Sequence, residues 1–159
     1  MQEKTQYTVI GAGHGGKAMA AHLALRSFPV TLYNRTPENI AVIQAKQGIE
    51  LESFDGGPHG FAELDLATSN IAAAVQSAEV VMVVVPSTAH ASIACATAPH
   101  LRDGQIIILH PGRTGGALEF VQVLRQNNCR ADITLAETET LIYASRSDGP
   151  AHVRILSIK

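Results

Sequence analysis

Six residues near the start of the chain, Gly11-Ala12-Gly13-His14-Gly15-Gly16, have types and spacing that could do chemistry. They fit G-x-G-x-x-G, after an apolar run at Tyr7–Ile10 and before a helical segment at Lys17–Arg26. In that setting the turn can hold a dinucleotide. Gly11 permits a tight turn, Gly13 has no Cβ to block a pyrophosphate, and Gly16 lets helix and strand lie close. Amides at the helix start, with its partial positive charge, would hold the phosphates. A tight strand–helix turn with no ligand is the plainer alternative. His14 is open to a phosphate or ribose contact, or to a solvated loop role.

The second position of interest is the end of the strand Val30–Tyr33. In this fold an Asp or Glu roughly 20 residues beyond the glycines accepts the ribose hydroxyls of NAD. The chain carries Asn34, Arg35 and Thr36 instead. Asn34 is neutral and can donate, Arg35 can fork onto a 2′-phosphate, and Thr36 offers a hydroxyl. The expectation is NADP, with NAD possible. A helix cap beside a solvated Arg is the alternative.

Other reactive side chains are scattered. The histidines are His14, His22, His59, His90, His100, His110 and His152, and none makes a triad or a metal spacing. No metal is expected. His90 and His110 are weak catalytic candidates that could face a cleft, with solvated or capping roles as the alternative. Cys95 reads as core and Cys129 as inert at a helix end.

These residues need elements to position them. The chain has 159 residues and a formal charge of −2, with 46% hydrophobic and 16% charged residues. One domain with a full core suits that length, roughly 100–200 residues per domain. The charge gives no case for nucleic acid. The longest apolar run, Val80–Val85, is far below the ~18 residues of a membrane span. The opening Met1–Gln6 is polar and has no leader character. Two cysteines suit a reducing cytoplasm.

Further strands are expected at Ile49–Phe54, Phe61–Thr68, Val80–Val85, Ile106–Leu109 and Ile133–Ala136. Helices are expected from Thr36 to a C′ Gly48, over Asn70–Ala78 with Ser69 as cap, over Thr88–Ala98 and over Ala117–Gln126. Asp55-Gly56-Gly57-Pro58 reads as a turn. Leu141–Ser145 and Val153–Ile158 read as a closing hairpin through Ser147-Asp148-Gly149-Pro150. The fold class is α/β, a Rossmann-type doubly wound and mostly parallel sheet with an antiparallel excursion and a C-terminal hairpin.

Four blocks of sequence carry a family likeness: GAGHGGKAMAAHLAL, VVMVVVPSTAHASIA, IIILHPGRTGGALEF and the ITLAETETLIYASRS region. With these the sequence resembles the opine dehydrogenase family, the octopine, nopaline and carboxyethyl-norvaline type enzymes. Those enzymes are related to 6-phosphogluconate dehydrogenase and ketopantoate reductase. The likeness covers the whole chain, and the second and third blocks are more specific than the glycine pattern. It departs at His14, where Asn is expected, and at His110 and Arg113, where relatives more often read Asn and Ala.

The resemblance implies that Val85, Pro86 and Ser87 line the nicotinamide half of the cofactor, with a helix cap as the other role open to Ser87. It places Pro111, Gly112, Thr114 and Gly115 on the substrate side, with amides and the Thr114 hydroxyl available to a carboxylate. Glu137 could contact the carboxamide, or be a solvated acid at a strand end. The implied reaction condenses an amino acid with a 2-oxo acid and passes hydride to the imine. Its His–carboxylate pair would come from a C-terminal substrate and catalytic domain absent from residues 1–159. A cytoplasmic, non-membrane protein is expected, with homodimers plausible through the exposed hairpin. Alternatives are a ketopantoate-reductase-like or 3-hydroxyacid-type dehydrogenase domain, or a non-catalytic nucleotide-sensing module.

Overall fold

Short runs of Val, Ile and Leu with no room for a polar face make the centre of the molecule, as expected of parallel strands covered on both sides. The computed structural model describes residues 4–54 and 56–159. Met1–Glu3 of the polar opening and Asp55 of the expected turn lie outside them. In chain order the elements are β1 (Tyr7–Ile10), α1 (His14–Leu25), β2 (Val30–Tyr33), α2 (Ala41–Lys46) and β3 (Gly48–Ser53). Then come β4 (Gly60–Glu63), β5 (Leu66–Thr68), α3 (Ile71–Gln76), β6 (Val80–Val83) and α4 (His90–Thr97). The last are β7 (Ile106–Leu109), α5 (Gly116–Gln126), β8 (Thr134–Glu137), β9 (Tyr143–Gly149) and β10 (His152–Ile158).

Six strands form a parallel sheet in the order β5-β2-β1-β6-β7-β8. The strand order reverses between β1 and β6, and a crevice opens there at the carboxyl ends. One core fills the face carrying α3, α4 and α5, around Val75, Ile93, Phe120 and Leu124. The other surrounds α1 and α2, with Ile40, Ile43, Ile49 and Leu51 fully buried. Each such side chain contributes about 1.5–3 kcal/mol.

The expected excursion and closing hairpin are both present, but they are one structure. β10 pairs parallel with β3, giving a second sheet in the order β4-β3-β10-β9. α1 therefore packs on β1 and β2 on one side and on β3, β4, β9 and β10 on the other. That is why every residue from Gly16 to Ala21 is buried, where a single small-residue face was expected. Lys17 is among them. Its ammonium donates to the Gly149 carbonyl at 3.2 Å, and burial lowers its pKa. The Tyr143 hydroxyl is hydrogen-bonded to His22 Nδ1 at 2.9 Å, and burial pushes the phenol up to about 12.

Local expectations shift in several places. Phe61–Thr68 is two strands, β4 and β5, which belong to different sheets. β6 stops at Val83, two residues early. After Thr36 comes a single 3-10 turn, Pro37–Asn39, before α2, and the Thr36 side chain caps nothing. Gln47, not Gly48, takes the left-handed conformation, with φ 57°, and Gly48 opens β3. Asn70, not Ser69, caps α3, its Oδ1 accepting from the Ala73 amide at 3.2 Å. Ser87 opens a 3-10 turn and makes no cap hydrogen bond. Cys95 is exposed, not core, and its thiol donates to Asn127 Oδ1.

Candidate cofactor and substrate cleft

Gly11 sits where the crevice begins. Its φ is 110°, its amide donates to the Tyr33 carbonyl at 2.8 Å, and a Cβ there would run into the Val84 carbonyl. Gly16 is equally confined, because a Cβ would run into the carbonyl of Gly11. Gly13 differs from both: a Cβ built on it meets nothing within 4 Å. Its space is left open on the side of the first α1 amides, which have no intrahelical acceptor. Gly15 answers to packing, since a Cβ there would press on the Leu141 side chain. His14 is tied too, its Nδ1 accepting from the Ser147 amide at 2.9 Å. That bond fixes the ring against β9 and leaves Nε2 as the group that can meet a phosphate.

Beside the turn lies a pocket of about 220 Å³ that brings together Gly11, Asn34, Arg35, Thr36, Val85 and Pro86. Asn34 is engaged internally: Oδ1 accepts from the Ala12 amide at 3.3 Å and Nδ2 donates to the Thr36 carbonyl at 3.1 Å. Arg35 is exposed at the lip. Sequence reasoning missed Asn39, Ala89, Ser92 and Ile93, which line the same pocket. Helical periodicity after Pro86 was the available signal, since residues 89, 92 and 93 must share one side of a helix that starts there. A hollow of about 870 Å³ beside Gln6, Pro29 and Glu79 opens at the amino ends of the strands. It has no convergent chemistry, and ligands of open α/β sheets bind at the other end.

Of the expected substrate-side residues, Thr114 lines a separate hollow of about 490 Å³, together with Arg113, Glu137, Thr138 and Glu139. Pro111, Gly112 and Gly115 shape the loop at its edge, with Gly112 seated under the Glu137 side chain. Glu137 caps α5: its Oε2 accepts from the Ala117 amide at 2.7 Å. In the free chain that oxygen belongs to the helix start and not to a carboxamide.

His90 and His110 are buried, neither solvated nor capping. Neither ring nitrogen of His90, nor Nδ1 of His110, has a hydrogen-bond partner among the described residues. His110 Nε2 lies 3.2 Å from Met82 Sδ. Burial lowers both imidazole pKa values, and the carboxylates of Glu119 and Glu137 partly oppose this at His90. His22 is lowered as well, by burial and then by Arg26. The unfolded chain takes up these protons near 6.5 while the folded chain resists them, so stability is full above that pH and falls as the pH drops below it. Calorimetric Tm should hold steady from pH 8 to 7 and decline from 6.5 to 5.5. A flat Tm through the lower window would contradict the burial of these rings.

Among the described residues no group of His, Cys, Asp and Glu could hold a metal, and no helix is long and apolar enough to cross a membrane.

The sequence profile of the NAD-binding domain of 6-phosphogluconate dehydrogenase matches residues 6–114. The chain belongs to that family. This NAD-binding domain is also 42% identical over all 159 residues to an opine dehydrogenase of Arthrobacter sp. strain 1C, and it spans 44% of that relative's length. Octopine dehydrogenase with NADH and L-arginine superposes on 98% of the domain with a TM-score of 0.85, at 21% identity and over 40% of its own chain. Yersinopine dehydrogenase with NADP+ bound covers all of the domain with a TM-score of 0.80, at 16% identity and again over 40% of its own chain. The domain is thus the dinucleotide-binding kind found in opine-dehydrogenase-like oxidoreductases, and the structural likeness takes in the second sheet.

Proposed function

We propose that this domain binds NADP(H) for an opine-type oxidoreductase, which condenses an amino acid with a 2-oxo acid reductively. The observation that carries the reading is the similarity to opine dehydrogenase along the full 159 residues. The open space at Gly13 suits a pyrophosphate, and the pocket beyond β2 suits adenosine. The bound cofactor would supply hydride. The chain's own part is to hold it: the amides of α1 and His14 at the phosphates, Thr36 and Arg35 at the ribose, Val85 and Pro86 on the facing wall of that same pocket, and Ser87 beyond it toward the nicotinamide half. A partner domain would close the far wall of the cleft and bring the acid–base pair.

Preference for NADPH rests on the end of β2. No carboxylate stands there to repel a 2′-phosphate, and the exposed Arg35 has no ion-pair partner among the described residues. One charge-assisted hydrogen bond contributes about 1.5–3 kcal/mol, which corresponds to about 10–100-fold in affinity. Titration calorimetry should show NADPH favoured over NADH by about that factor. Arg35→Ala should remove most of the difference and leave NADH binding little changed. Equal binding of the two cofactors by the unaltered chain would refute the assignment.

A further inference from the structure

Cofactor binding gives no role to the unpartnered ring of His90 or to the carboxylate of Glu137. Both meet the start of α5, a helix of 11 residues. Gly116 has no side chain at this point. The place its Cβ would take lies 3.2 Å from His90 Nδ1 and 3.4 Å from Glu137 Oε2. Glu137 Oε2 meanwhile holds the Ala117 amide. An imidazole nitrogen, a helix-terminal amide and a carboxylate oxygen therefore converge on one residue. The amide donates and already has its acceptor, whereas the imidazole, which carries an N–H in either tautomer, has no partner at all among the described residues.

The geometry points to a carboxylate-binding site made by the N-terminus of α5 and His90, with the chain's own Glu137 as its occupant until a ligand carboxylate displaces it. Glu137 reaches the Ala117 amide from β8, and that tether keeps it from bonding the ring. A free carboxylate has no such tether. It can take over the Ala117 amide and also accept from an N–H of His90, so the exchange keeps one hydrogen bond and adds another. A fully buried imidazole with both nitrogens orphaned is uncommon in a native fold, and this exchange gives it a partner. The hollow of Arg113 and Thr114 adjoins the site and supplies an approach with a guanidinium at its rim. Glu139 on the same rim and Glu119 on α5 are the opposing charges. The identity of the ligand rests on the proposed function, in which both the 2-oxo acid and the amino acid carry a carboxylate.

The test is amide and imidazole NMR on the labelled chain, with and without NADPH, titrated with sodium pyruvate, L-alanine or methyl pyruvate. Pyruvate or L-alanine should shift Gly116, Ala117 and the His90 ring, and whichever acts identifies the substrate that is bound. Methyl pyruvate, which has no carboxylate, should not. Glu137→Ala removes the internal competitor and should tighten the acid's binding about tenfold. His90→Phe should abolish the response while the rest of the spectrum stays folded. The proposal is overturned if the ester acts like the acid, if neither acid shifts Ala117, if Glu137→Ala binds no more tightly, or if His90→Phe binds as well as the unaltered chain. Should a variant not fold, the His90 ring nitrogens of the unaltered chain decide, because they must gain a hydrogen bond when the acid is added. Failure of the cofactor reading would appear elsewhere, as absent NADPH shifts at Gly13–Gly16.

Discussion

Gly13→Val should abolish NADPH binding and leave the fold intact. The added isopropyl group has room, because nothing stands within 4 Å of a Cβ at this position. That same room is where the proposed site puts the pyrophosphate, close against the first amides of α1. A loss of at least about 100-fold in affinity is expected, with an unchanged Tm. Calorimetry and thermal melting on one preparation check both halves. A folded Gly13→Val protein with undiminished NADPH affinity would remove the phosphates from this turn.

Gly16→Ala should do the reverse, damaging the fold before any ligand is involved. Its Cβ would run into the carbonyl of Gly11. Relief requires α1 to move, and α1 is held on its second side by β3, β4, β9 and β10. Overpacking of this kind costs about 1–3 kcal/mol, occasionally more. For a domain of this length the upper figure corresponds to a fall in Tm of about 6–12 °C. An unaltered Tm in Gly16→Ala would show that the helix has slack. The two glycines belong to one motif, yet one leaves space for the ligand and the other for the backbone.

Much of this was legible in the residues. Tyr7–Ile10, Val30–Tyr33 and Ile106–Leu109 stand as expected, because an apolar run ended by Gly, Asn or a turn allows little else. Gly11, Asn34, Arg35, Thr36, Val85 and Pro86 line one pocket, since strands that begin a doubly wound sheet end at one crevice. The family resemblance, by contrast, sets Val85 and Pro86 apart from Asn34 and Arg35, on the nicotinamide half. The second sheet was not legible. Both of its hairpins were expected, although Ser147-Asp148-Gly149 continues β9 instead of turning, and of the expected partner strand only β4 pairs with β3. The pairing of β3 with β10 has no local signature. The capping role of Glu137 was hidden for the same reason, because the Ala117 amide it serves lies 20 residues away. His90 looked like a residue of an exposed first turn. A single helical turn at Ser87–Ala89 rotates it inward, and only packing against Gly116 reveals that.

The bond between His152 and Glu52 joins residues 100 positions apart, and the strand pairing around it sets an order of assembly. The ribosome delivers the glycine-rich turn ahead of all the strands of that second sheet. The helix that follows has its inner sheet soon afterwards, as β1, β2 and β6 emerge. Its outer side is met first by the β3–β4 hairpin, in which Ile49 stands opposite Ala62 and Leu51 opposite Gly60, and is closed only when β9 and β10 arrive. His14 and Lys17 cannot find Ser147 and Gly149 before then either. The glycine-rich turn is thus synthesised well before the strand that holds His14 and Lys17 in place. A nascent or clipped chain without its last two strands would carry Gly11, Gly13 and Gly16 but not the contacts of Ser147 and Gly149 that fix His14 and Lys17 from outside.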